Sequence, residues 1–280
     1  MTKNGSRQAK QAPTKTPHKQ GWKLVFYVIA TITWVTASII ASQVLIGNVM
    51  IITLGREVFT QTVPTAIYSA LSYLLAMFLI IYVPTKVPVK WKIENNIDDG
   101  EPREEQHSKS SVSRTELGLS GMPTWTDIGL APIGLVVSLL LAAGLVALFS
   151  LFPWFDAGEV QNVGFSFYLN GLDRLIAFIT LVVVAPIAEE VIFRGWLYGK
   201  LRGRTSMQMN SILSVILSSL LVSVLFGAIH MQWNVGVNVF AMSLVMCGLR
   251  EITGTIYAGI LLHMLKNGLA FFLLYVLGIQ

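Results

Sequence analysis

The stretch TSMQMNSILSVILSSLLVSVLFGAIHMQWNVGVNVFAMSLVMCGL, residues 205–249, contains no Asp, Glu, Lys or Arg. A membrane-spanning helix needs about 20 consecutive apolar residues, so this stretch alone is long enough for two crossings. Further charge-free stretches occupy residues 24–55, 58–85 and 128–155. The sequence therefore predicts an integral membrane protein with several spans.

Composition supports the same class. Of the 280 residues, 54% are hydrophobic and only 12% are charged, whereas soluble domains carry about 25% charged residues. Outside a closed barrel, only helices satisfy the backbone polar groups in lipid, and the alternation typical of strands is absent. The sequence predicts an all-α polytopic bundle of seven or eight transmembrane helices, at about 24–46, 63–83, 128–152, 172–198, 211–231, 237–250 and 254–279. The sixth is expected to be short, and the seventh could be two pieces because Lys266 and Gly268 lie inside it.

Four regions follow from the distribution of charge. They are a disordered basic tail (1–21), an N-terminal transmembrane hairpin (22–83), a charged cytoplasmic linker (84–126) and a helical core (127–280). Lys and Arg cluster before the first span and after the second and fourth, which places the N-terminus in the cytoplasm. We expect the basic tail to contact membrane lipid and not nucleic acid. The single cysteine, Cys247, excludes an intrachain disulfide and a Cys-rich zinc site.

Two adjacent acids inside an apolar stretch are the first candidate for chemistry. A charge in the membrane costs several kcal/mol, about 2.5–3.5 on insertion scales, so such residues usually face a protein interior or a wet cavity. Glu190 and Arg194 are four residues apart and share a helix face, so they can pair. Glu189 points about 100° away from Glu190 and is expected to lack that partner, which suits a carboxylate that transfers protons. The alternative is that both acids belong to a structural ion-pair network.

Two further pairs have the same spacing in later spans. Phe226 and His230 are one turn apart, as are His263 and Asn267. Imidazole can act as a base, a hydrogen-bond donor or a metal ligand, and an amide can stabilise an oxyanion. The alternatives are an interfacial or packing histidine for His230, and a polar pair joining helices for His263 and Asn267. Together the acids, imidazoles and amide form the inventory of a hydrolase that needs no serine or cysteine nucleophile.

The order Glu-Glu-x-x-x-Arg, Phe-x-x-x-His, His-x-x-x-Asn resembles the CPBP (Abi) family of intramembrane proteases, which contains the type II CAAX prenyl endopeptidases. The resemblance covers about residues 125–280. It implies that Glu189 activates water with the help of His230, and that His263 and Asn267 stabilise the oxyanion. It also implies that Glu190 and Arg194 form a supporting pair, and we expect Phe226 to be a further supporting residue.

A metal requirement stays open at this point. The family has been described as metal-dependent, and Glu189, His230 and His263 could hold zinc with an open position. The usual helical zinc spacing, His-Glu-x-x-His, is absent, which favours direct activation of water by the glutamate.

The expected substrate is a membrane-associated peptide or protein, such as a lipidated CAAX-type C-terminus, and the expected location is the cell membrane of a bacterium or archaeon. Two alternatives stay open. The first is a proton-coupled transporter, since Glu and His chains relay protons in membranes, although no inverted repeat is evident. The second is a non-catalytic membrane scaffold of the bacteriocin-immunity kind, which the resemblance also allows.

Overall fold

The computed structural model describes residues 17–86, 112–159, 164–166, 169 and 171–278. Within these ranges, seven helices are long and apolar enough to cross a membrane. They are α1 (Pro17–Leu54), α2 (Thr62–Thr85), α3 (Trp125–Phe149), α4 (Gly171–Ser206), α5 (Ser211–Ala228), α6 (Trp233–Thr253) and α7 (Tyr257–Val276). The described part contains no strand. The prediction of an all-α, multi-span membrane protein is confirmed, with seven spans in the described part.

One expectation about the last helices was wrong, and one open alternative is decided. The sixth helix is not short, because it begins at Trp233 and runs for 21 residues. Two asparagines in its first turns lowered its apparent hydrophobicity, but Asn234 donates to the carbonyl of Glu159 (2.6 Å) and Asn238 to that of Asn234 (2.8 Å). The seventh helix is one continuous element that passes through Lys266 and Gly268 without a break.

The C-terminal helices form the core, with α6 at its centre. This helix packs against α3 and α5 and also contacts α7, while α7 packs against α3. Buried side chains from several helices meet there, among them Leu197, Phe226, Met246 and Leu262. The N-terminal pair packs on α4: α2 contacts its first half and α1 its second half. This arrangement brings Tyr73 of α2 into contact with Glu189 of α4.

Helix α4 changes its winding on both sides of the two glutamates. The segments Ile179–Val184 and Val191–Tyr198 are π-helical, and the α-helical segment Ala185–Glu190 lies between them. Pro186 explains the first widened segment, since a proline lacks an N–H and clashes with the carbonyl four residues earlier. That carbonyl belongs to Val182, within the π-helical turn. Such segments are frequent at functional sites.

The chain that leads into α3 is attached to the core. Leu117 is buried, the carbonyl of Gly118 accepts a hydrogen bond from the Ile256 N–H (3.0 Å), and that of Glu116 accepts one from Arg250 (3.0 Å). Thr124 and Asp127 then cap the start of α3 reciprocally. Most of the expected basic tail (1–16) and part of the expected linker (87–111) lie outside the described residues, so the four region boundaries stay predictions.

Candidate active site

The two adjacent glutamates occupy different environments. The side chain of Glu190 is 0% exposed, whereas that of Glu189 is 15% exposed. The rotation between successive helical residues points Glu190 into the core and leaves Glu189 partly exposed. The carboxylate of Glu190 is therefore fully buried, and that of Glu189 is partly exposed.

Glu190 is the centre of a buried charge network. Its Oε1 accepts a hydrogen bond from Arg194 Nη1 at 2.7 Å, which confirms the pairing expected from the spacing. The same oxygen lies 3.1 Å from Nδ1 of His263 in α7. Glu190 Oε2 and the Nε and Nη2 atoms of Arg194 have no hydrogen-bond partner among the described residues. The network fastens α4 to α7 and is too enclosed for Glu190 to meet a substrate.

Phe226 lies at the junction of the three sequence motifs. The guanidinium carbon of Arg194 is 4.4 Å from the centroid of its ring, a distance typical of a cation–π contact. Edge-to-face contacts join the same ring to His230 (5.1 Å between centroids) and His263 (5.9 Å). Because Phe226 is fully buried, it fixes the spacing between the imidazoles and the arginine.

The carboxylate of Glu189 contacts polar side chains from two other helices. Its Oε1 accepts a hydrogen bond from the hydroxyl of Tyr73 in α2, and its Oε2 lies 3.8 Å from Nε2 of His263. Glu189 does not pair with Arg194, as expected, but a helix outside the three motifs supplies a hydrogen-bond donor to it. Sequence reasoning missed Tyr73, since a tyrosine in an apolar span carries no signal of its own.

His263 lies between the two glutamates. Nδ1 faces Glu190 and Nε2 faces Glu189, and the side chain is 3% exposed. A carboxylate oxygen only accepts hydrogen bonds, so a hydrogen on Nδ1 makes the first contact attractive. The second contact is attractive only if a proton resides on His263 Nε2 or on Glu189 Oε2. His263 therefore lies between the buried carboxylate of Glu190 and the partly exposed carboxylate of Glu189.

His230 lies just beyond the end of α5. Its Nδ1 is 2.8 Å from the carbonyl oxygen of Phe226. Because a carbonyl only accepts, Nδ1 carries the hydrogen and Nε2 is the free acceptor. Burial lowers the pKa of His230 below its ordinary value of 6.5, against the opposing effect of the Glu189 charge. His230 is therefore neutral at pH 7 and lies within electrostatic range of Glu189 and His263.

Asn267 is turned towards a different partner. Its Nδ2 donates to the carbonyl of Leu181 at 3.0 Å, within the first π-helical segment of α4. This bond joins α7 to α4 about two turns from the glutamates, and it uses one of the two N–H groups of the amide. Asn267 shares no hydrogen bond with His263 or Glu189 among the described residues.

The expected metal set is not assembled. Within the described ranges, no three His, Cys, Asp or Glu side chains group closely enough to hold a metal ion. Glu189, His230 and His263 thus do not form a three-ligand site, and we derive no step through a metal.

Comparison with known proteins agrees with the motifs. Residues 171–269 match the family model described as type II CAAX prenyl endopeptidase Rce1-like. The match covers just over a third of the chain and includes Glu189, His230 and Asn267, but not the helix that carries Tyr73. No significant match was found among curated proteins or solved structures. The part of the chain that carries the three motifs is therefore similar to the type II CAAX prenyl endopeptidase family, as the order of the motifs predicts.

Proposed function

We propose that this membrane protein hydrolyses a peptide bond in a membrane-associated peptide, with Glu189 as the general base that activates water. The observation that carries this proposal is the contrast between the two acids: Glu190 is sealed in an ion pair, and Glu189 is partly exposed. A general base must reach a water molecule and the scissile bond, and of the two acids only Glu189 is exposed at all.

In this mechanism Glu189 takes a proton from water while the hydroxide oxygen bonds to the peptide carbonyl carbon. The proton then moves from Glu189 to the departing nitrogen as the C–N bond breaks, which yields a carboxylic acid and an amine. His230, neutral and with Nε2 free, assists as a second acceptor for water. Tyr73 holds the Glu189 carboxylate in place through its hydroxyl.

The oxyanion that forms on the carbonyl oxygen needs hydrogen-bond donors. We assign this role to His263, when Nε2 is protonated, and to the second N–H of Asn267, whose first N–H binds Leu181. The buried pair of Glu190 and Arg194 supports the site by fixing the orientation of His263 through Nδ1. A positioned ring of this kind loses little free energy to reorganisation during the reaction.

The basic end of the bundle, where Lys200, Arg202 and Arg204 follow the glutamates on α4, is assigned to the cytoplasm because Lys and Arg gather on that side of membrane proteins. By this assignment the N-terminus is cytoplasmic, and His230, after α5, lies towards the opposite side. Cysteine-accessibility labelling of Ser206→Cys and Ser150→Cys variants, in a Cys247→Ser background, tests the assignment.

The proposed activity is tested with the purified protein in proteoliposomes. A panel of peptides that includes a prenylated CAAX-type C-terminus and the same peptide without its lipid is incubated with the vesicles, and products are identified by mass spectrometry. We expect cleavage of at least one membrane-bound peptide. Proton flux through the vesicles with no cleavage of any peptide would instead favour a transporter and overturn the proposal.

A further inference from the structure

A cavity lies away from the glutamates. It has a volume of about 740 Å³ and opens where α1, the end of α4, the segment before α3 and the end of α6 meet. Small-molecule sites typically measure about 300–1,000 Å³, so it is large enough for a ligand. Glu189, His230 and His263 do not line it, which makes it distinct from the candidate active site.

The walls of this cavity are positively charged. Four cationic side chains line it, Lys200, Arg202, Arg204 and Arg250, against two acidic ones, Glu116 and Glu251. Taking four positive and two negative charges together, the lining carries a net charge of +2. An excess of positive charge on the lining of a cavity favours the binding of an anionic ligand.

The cations differ in how far the protein already neutralises them. Arg202 pairs with Glu251 at 3.2 Å. Arg250 donates to the carbonyl oxygens of Gly195 (2.9 Å) and Glu116 (3.0 Å), which are neutral acceptors. Its positive charge therefore remains available to a ligand in the cavity.

The two remaining cations are less engaged. The guanidinium of Arg204 lies over the ring of Tyr27 (5.4 Å to its centroid), and its Nε has no hydrogen-bond partner in the described part of the chain. Lys200 has no ion pair within 4.0 Å among the described residues. Together with Arg250, these two side chains provide positive charge that no described acidic side chain pairs with.

The position of the cavity suggests the kind of anion. It lies at the end of α4 and α6, where the helices leave the apolar region and basic residues gather. Basic pockets between helices at this depth bind the head groups of anionic lipids. Arginine and lysine also bind free phosphate through charge-assisted hydrogen bonds.

We propose that this cavity binds a phosphate group, either that of an anionic phospholipid head group or that of a free phosphate anion, through Lys200 and Arg204 with support from Arg250. The proposal does not depend on the peptidase activity, because neither Lys200 nor Arg204 belongs to the candidate active site.

Native mass spectrometry of the full chain in detergent tests the proposal. The probes are phosphatidylglycerol, phosphatidylcholine as the lipid without net charge, and inorganic phosphate. Lys200→Gln and Arg204→Gln each remove one charge from the cavity, and Arg114→Gln removes one charge from an exposed position that does not line it. Thermal unfolding of each variant shows whether the fold is retained, and Lys200→Gln disturbs no ion pair among the described residues.

We expect the wild-type protein to retain phosphatidylglycerol in preference to phosphatidylcholine. Each cavity variant should bind it about fivefold more weakly, the effect of one cation near an anionic surface, and Arg114→Gln should bind as the wild type does. If inorganic phosphate binds with the same dependence on Lys200 while phosphatidylglycerol does not, the anion is a free phosphate. Equal binding by wild type and both cavity variants, or no binding of either anion, would overturn the proposal.

Discussion

The hydroxyl of Tyr73 in α2 donates a hydrogen bond to Oε1 of Glu189 in α4, across 116 positions of the sequence. This contact ties the N-terminal hairpin, which lies outside the family match, to the acid that we assign as the general base. The proposed active site thus includes a contact from a helix that lies outside the three motifs.

We expect Tyr73→Phe to lower kcat by up to about a hundredfold, because a misplaced catalytic group costs a rate factor of that order. KM should stay unchanged, since Tyr73 is assigned no contact with the peptide. The measurement is steady-state cleavage of the best peptide in proteoliposomes. Tyr68→Phe, earlier on the same helix, is the matched control, because the described contact of Tyr68 is between its ring and that of Phe59. Wild-type kcat in the Tyr73→Phe protein would remove Tyr73 from the mechanism.

Breaking the buried pair should cost far more stability than breaking an exposed one. Glu190→Gln leaves the Arg194 charge buried without its partner, which costs about 3–5 kcal/mol. Glu251→Gln breaks the partly exposed pair with Arg202 and should cost at most about 1 kcal/mol. Chemical unfolding in detergent measures both values. Because the penalty comes from the orphaned charge, the double variant Glu190→Gln/Arg194→Met should recover part of the loss, and no recovery would contradict this explanation.

Gly259 leaves room for the sealed carboxylate. A Cβ at this position would lie 3.1 Å from Glu190 Oε2, closer than an ordinary van der Waals contact, and the enclosed acid has little space to move. Gly259→Ala should therefore destabilise the protein by about 1–3 kcal/mol, the usual cost of overpacking.

Gly248 in α6 is the matched control for this substitution, because no atom of the described residues outside its own stretch of helix lies within 4 Å of the place where a methyl group would sit. Gly248→Ala should be neutral or stabilising by up to about 1 kcal/mol. Equal melting temperatures for the Gly259→Ala and Gly248→Ala proteins would show that the contact with Glu190 is unimportant.

The protonation of His230 should make stability depend on pH. Burial lowers the pKa of His230 in the folded protein below 6.5. The unfolded chain therefore binds a proton at His230 more tightly than the folded chain does. Well above pH 6.5, His230 is uncharged in both the folded and the unfolded chain, so its protonation does not change the free energy of unfolding. The contribution of His230 becomes destabilising as pH falls below that value, and the loss levels off below the folded-state pKa.

Melting curves between about pH 8 and about pH 5 for the wild type and for His230→Asn measure this contribution. The variant should lose less stability on acidification than the wild type. Parallel losses in the two proteins would mean that burial does not hold His230 neutral.

The sequence predicted the architecture where one local property decides it. Charge-free stretches located five of the seven spans, because a helix in lipid tolerates few charges. The four-residue spacing predicted the pair between Glu190 and Arg194, because helical geometry places these residues on one face. By contrast, the limits of α6 were misplaced, since Asn234 and Asn238 are accommodated by hydrogen bonds that only the folded chain provides.

The contacts between helices could not be predicted in the same way. The position of His263 between both glutamates depends on how α7 packs on α4, and the contact of Tyr73 depends on how α2 does. Asn267 binds the Leu181 carbonyl, which lies in a π-helical turn. No single residue predicts such a turn, although Pro186 nearby favours a local change in the helix. The described residues hold no three-ligand metal group, a result of side-chain orientation that spacing does not reveal.

The role of Glu189 in activating water is tested most directly by the rate of peptide cleavage by Glu189→Gln in proteoliposomes. Glu57→Gln, an exposed acid between α1 and α2, is the control. Loss of a general base typically costs about 10²–10⁴-fold in rate, so we expect kcat to fall by at least about a hundredfold in a protein that melts like the wild type, with no change for Glu57→Gln. Cleavage by Glu189→Gln at the wild-type rate would contradict the account.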